Sequence, residues 1–166
     1  MKKGILILLI IGAVFILAVI ISGKSAMKWL RAEGYLEYSA QGAVELAHRK
    51  CAQCHGIDKT AKYCMRCGPP FIVVVHNMRT LIAKSKDRYG GIEDIKDGEA
   101  AAITQVWNAL VGNWEDTWRK EDLQKLLEND NALIKLLNTP VKERKIEMAL
   151  KGKTAAGAET IMKPVK

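Results

Sequence analysis

The chain has 166 residues, of which 49% are hydrophobic and 27% charged, with four cysteines and a formal net charge of +8. Beyond an N-terminal apolar stretch, that length suits one domain with a substantial buried core. Lys and Arg are spread along the chain, acidic residues are interleaved after Asp87 and no aromatic–basic repeat occurs, so the charge describes a solvated surface rather than a nucleic-acid interface.

Met1, Lys2 and Lys3 precede an uncharged run from Gly4 to Ser22, GILILLIIGAVFILAVIIS. As a helix its 19 residues would extend about 28 Å, close to the hydrocarbon thickness of a bilayer. A cleaved signal peptide would have an apolar region of roughly 7–15 residues and an A-x-A-like site. The run is longer and has no such site before Lys24, so residues 1–23 read as an uncleaved single-pass anchor. Lys2 and Lys3 are nearly balanced by Lys24, Lys28 and Arg31, so positive-inside counting does not fix the topology. The short basic start followed at once by a long apolar run is similar to bacterial signal anchors, which places the remaining chain in the periplasm. Residues 24–41 read as a juxtamembrane linker that mixes Trp29, Tyr35 and Tyr38 with basic residues, a composition suited to headgroup depth. The excess positive charge favours anionic headgroups there, or an acidic partner.

A short helix over 42–50, with Val44 and Ala47 on one face and Leu46 alongside, leads into Cys51-Ala52-Gln53-Cys54-His55. C-x-x-C-H is the attachment signature of c-type haem. Two thiols three residues apart project from one side of a helical turn, where each can add to one haem vinyl group. The adjacent His55 can then bind the iron as proximal ligand. A second pair, Cys64 and Cys67, follows Cys54 after nine residues and lacks a trailing histidine. Three readings of it stand: a local disulfide, a redox-active dithiol, or the second half of a four-thiolate zinc ribbon with Cys51 and Cys54. Gly68 would permit the tight turn after the last zinc ligand. His55, the expected export and the lack of paired hairpins weigh for haem over zinc.

Downstream the pattern is helical. Ile72-Val73-Val74-Val75 has strand propensity, yet Ile72, Val75, Met78 and Ile82 follow a helical step and no partner strand is available, so 71–83 reads as helix. Residues 87–98, with Gly90-Gly91, read as a loop, and Glu93, Asp94, Asp97 and Glu99 as solvated surface. Ile103, Val106, Trp107, Leu110, Val111 and Trp114 mark an amphipathic helix. Trp118, Leu123, Leu126 and Leu127 mark a further apolar stretch over 116–129, followed by helices over 131–138 and 140–151 and a mobile tail over 152–166. The expected architecture is all-α: an anchor followed by a compact helical domain over 42–151. No phosphate-binding glycine loop, G-x-S-x-G or H-E-x-x-H occurs.

Gly42-x-x-x-Leu46-x-x-x-x-Cys51-Ala52-Gln53-Cys54-His55, followed by Gly68-Pro69-Pro70, resembles the class I cytochromes c over about residues 42–71. The resemblance implies one covalent haem c on Cys51 and Cys54, with the Pro69 carbonyl set against the N–H of His55. Such a bond would orient the imidazole and tune the iron. No methionine loop or C-terminal helix of that family's kind follows, so the distal ligand comes by elimination. Met78, on the apolar stripe 23 residues after His55, is the first choice. His76, Met148 and an open position are the alternatives. The function expected is a membrane-anchored monohaem electron carrier, not an enzyme unless the sixth position is open, docked to redox partner proteins or a larger respiratory or photosynthetic complex. The rival is an anchored zinc-ribbon adaptor without redox chemistry.

Overall fold

The computed structural model describes residue 12 and residues 23–54, 56, 60, 68–85, 90–112 and 115–153. Every regular element among them is helical, so the all-α expectation holds and Ile72–Val75 is helix. Helix α1 is described over residues 23–32. It is followed by α2 (Ala40–Cys51), α3 (Phe71–Ser85), α4 (Asp97–Val111), α5 (Lys120–Leu126), α6 (Asn131–Asn138) and α7 (Lys145–Leu150), with 3-10 turns at Glu115–Thr117 and Val141–Glu143. Among the described residues no helix is long and apolar enough to cross a membrane. The 4–22 run expected to be the anchor lies outside them, Gly12 apart, as do residues 154–166 of the tail.

The helix starts have identifiable chemistry. Ser39 Oγ accepts the Gly42 N–H at 3.1 Å to cap α2, whose last turn carries His48, Arg49 and Lys50 against the negative end of its dipole. Pro70 has no N–H to waste at the start of α3, and its carbonyl accepts from Val73 and Val74 at 2.9 and 3.2 Å. At α4 the Glu99 carboxylate accepts the Lys96 N–H at 2.9 Å. Asp130 caps α6 by accepting from Leu133 at 3.4 Å, just after Asn129 turns the chain at φ 71°.

Helix α4 is the hub and packs against α2, α3, α6 and α7. Its Ala100, Ile103, Val106, Trp107 and Leu110 are buried at helical spacing. Ala43, Val44, Ala47 and Cys51 of α2 meet it, as do Phe71, Ile72 and Val75 of α3. The rings of Phe71 and Trp107 stack at 6.2 Å and 26°.

Three expectations change. The helix expected over 140–151 is divided into a 3-10 turn at Val141–Glu143 and α7, which spans only Lys145–Leu150. The apolar stretch over 116–129 is broken: α5 begins only at Lys120, so Leu123 and Leu127 fall on one inward face at i, i+4 while Trp118 and Leu126 are exposed. The acidic group of 93–99 is not simply solvated, because Glu99 is buried and paired with the equally buried Lys50. Trp114 lies outside the described residues.

Candidate functional site

Helix α2 ends at Cys51, and the turn after it carries Cys54. Their surroundings differ. Cys51 is 2% exposed and belongs to the apolar cluster that includes Phe71 and Trp107, whereas Cys54 is exposed. Burial pushes the Cys51 thiol up to about 11, with the Trp107 indole opposing that shift and Cys54 adding to it. The indole N–H lies close enough to the Cys51 sulfur to favour its anion, yet it is buried without a hydrogen bond of acceptable geometry. Cys51 is therefore a neutral sulfur in an apolar wall.

The turn is held from outside by residues that the motif alone does not reveal. Gln53 Oε1 accepts the Glu93 N–H at 2.6 Å, and Gln53 Nε2 donates to the Lys50 carbonyl at 3.4 Å. Lys50, 4% exposed, places its ammonium 3.1 Å from both Glu99 and Glu93 and donates to the Asp94 carbonyl at 2.5 Å. Arg49 adds a 2.7 Å pair with Glu93. A buried ammonium needs such complete pairing, and the result ties the end of α2 to the start of α4. No local signal could have found these contacts, since Lys50 and Asp94 are 44 positions apart.

Hydrogen bonds and charge from Lys50, then from Arg49, hold the Glu93 carboxyl below its ordinary value of 4.5. The clasp is therefore complete above that ordinary value and weakens as pH falls through the lowered one. Glu93 is mostly exposed, so its share is small: Glu93→Gln is expected to cost about 0.5 kcal/mol at neutral pH. Thermal melts between pH 7 and pH 3 check this, because the gap between wild type and variant should close on the acid side.

The structure separates the candidate distal ligands. Met78 lies on the α3 stripe between Val75 and Ile82, partly buried against the core. His76 points elsewhere, with Nδ1 3.1 Å from Asp130 Oδ2, and Arg79 donates to Asp130 Oδ1 and to Asp97 Oδ1 at 2.6 Å each. These residues line a polar cleft of about 640 Å³ beside the α4 and α6 starts. Met148 is 39% exposed. Pro69, half-buried, sits in the turn entering α3. His48 is half-buried on α2. His55, Cys64 and Cys67 lie outside the described residues.

The donor set can be tested against both expected groups. A thioether bond to haem leaves sulfur neutral, and the apolar wall around Cys51 suits that. A zinc site made of four cysteines needs charged thiolates, and pairs them around one point. Among the described residues the wall around Cys51 is apolar, a setting that does not stabilise a thiolate. Among the described residues no three of His, Cys, Asp and Glu are grouped to hold a metal. No family model matches the chain, and no curated protein and no solved structure matches it.

Proposed function

We propose that the chain is a monohaem c-type electron carrier, held to the bacterial inner membrane by residues 4–22 with its helical domain in the periplasm. Cys51 and Cys54 would hold the haem, and His55 and Met78 would bind its iron, with Pro69 orienting His55. A bound haem supplies a one-electron iron couple. The chain's own contribution is rigidity and dryness. The Lys50 clasp fixes the end of α2, and Phe71 and Trp107 exclude water beside Cys51, so little has to reorganise when charge changes. Transfer would be outer-sphere, to redox partner proteins or a larger complex.

The observation carrying this reading is the neutral, apolar setting of Cys51 in a C-x-x-C-H turn. A charged thiolate is costly there, which sets the zinc-ribbon reading second. His55→Ala, expressed with a haem c maturation system, is expected to lose the low-spin spectrum of the parent. An unchanged low-spin spectrum in that variant would remove His55 from the iron and with it the proposal.

A further inference from the structure

The segment joining the apolar run to the domain has a surface of its own. Residues 23–29 of α1 are all exposed. Nine large hydrophobic residues are exposed among the described ones, and four of them, Met27, Trp29, Tyr35 and Leu36, fall within ten positions. Tyr35 and Leu36 donate back to the Leu30 carbonyl at 2.9 and 3.2 Å, which folds the chain so that the Trp29 and Tyr35 rings sit 5.9 Å apart. Trp29 is 56% exposed and Tyr35 72%. This is a cluster rather than scatter.

Charge divides along the same segment, apart from the half-buried Arg31. Glu37 pairs with Lys145 at 2.8 Å and Glu33 approaches Lys96 at 3.9 Å, so the acidic side chains are turned to the domain. Lys24 and Lys28 are exposed at i, i+4, and no ion pair among the described residues holds them. The segment is also not a free tether. At Gly98, the second residue of α4, an added Cβ would stand 2.1 Å from the Arg31 carbonyl oxygen and 2.6 Å from the Gly34 nitrogen. Gly34 itself has φ +86°. Two glycines thus let the linker cross the start of α4 at backbone contact.

We propose that Trp29 and Tyr35, with Lys24 and Lys28, seat in an anionic phospholipid headgroup layer, and that the Gly34–Gly98 crossing carries this seating to the domain, which is then held in one orientation to the bilayer. The inference rests on the anchored reading above. The occupant follows from where the uncharged 4–22 run ends, immediately before this segment, and from the two lysines facing outward. Amphipathic rings belong at that depth, and each lysine near an anionic surface strengthens seating roughly fivefold.

The test uses the full-length holoprotein in nanodiscs whose lipids are brominated high on the acyl chain, of phosphatidylcholine alone or mixed with phosphatidylglycerol. The fluorescence difference between wild type and Trp29→Phe isolates Trp29. Bromine quenching of that component is expected, deeper with phosphatidylglycerol, and Lys24→Gln with Lys28→Gln should abolish the dependence on phosphatidylglycerol. If the chain stays in the discs while Trp29 is unquenched, the seating is overturned and the anchor stands. Crosslinking of Trp29-bearing surfaces between two copies, without quenching, would likewise overturn it. If alkaline carbonate strips the chain from the discs, both the anchor and the seating fail.

Discussion

Glu115→Ala is expected to lower unfolding stability by about 3 kcal/mol, or roughly 9 °C in melting temperature for a domain of this size. Glu115 Oε2 lies 2.7 Å from Arg144 Nη2, and both side chains are almost wholly buried. Its Oε1 accepts from Asn108 Nδ2 at 3.0 Å. Arg144 also donates through Nε to the Thr139 carbonyl at 3.0 Å and through Nη1 to Glu147 at 3.3 Å. Truncating Glu115 leaves a buried guanidinium short of a partner and leaves the Asn108 amide to Glu147 alone, and breaking a buried pair in this way costs roughly 3–5 kcal/mol. The low end applies because Glu147 remains. Burial pushes the Glu147 carboxyl up while Arg144 pulls it down, and the charge of Glu115 adds to the upward push. Losing Glu115 therefore makes ionised Glu147 easier to hold. Adding Arg144→Met and Glu147→Gln to Glu115→Ala should recover part of the loss, since no member of the buried charge cluster is then stranded. Chemical denaturation of the single and triple variants measures both effects.

Gly98→Ala is expected to cost about 2–3 kcal/mol, the upper range for overpacking, because the new methyl meets backbone rather than a yielding side chain. The Arg31 oxygen and the Gly34 nitrogen and Cα all lie within 2.8 Å of the built Cβ position. Either the linker lifts off α4 or the α4 start shifts, and amide exchange of Gly34, which donates to Arg31 at 3.1 Å, should accelerate. Gly90→Ala is the control, since nothing lies within 4 Å of its Cβ position. A melting temperature unchanged in Gly98→Ala would mean that the two backbones do not touch.

What could be read from the sequence was whatever has a local period or a local motif. Ile103, Val106, Trp107 and Leu110 disclose α4 because a helical stripe is fixed by residues three and four apart. Helix α6 spans 131–138 as read, ending before Pro140, while its Asp130 cap came only from the fold. At Ile72–Val75 the lack of a partner strand favours helix over strand, and the segment is helix in α3. Trp118 misled because aromatic content suggests a core, whereas the late start of α5 leaves it outside. Partner choice across the chain left no trace. Nothing near Lys50 announces Glu99, and nothing near Glu115 announces Arg144, 29 positions on. At the candidate site the motif named the thiols, while Gln53, Lys50 and Glu93, which hold the turn, came only from the fold.

A covalent haem on Cys51 and Cys54 would show in the visible spectrum of the denatured, alkaline pyridine derivative, read together with metal analysis of the same sample expressed under haem c maturation. A haem c spectrum at one haem per chain, retained through denaturation and without zinc, is the predicted result. A colourless protein holding one zinc would contradict it and make the four cysteines one structural site.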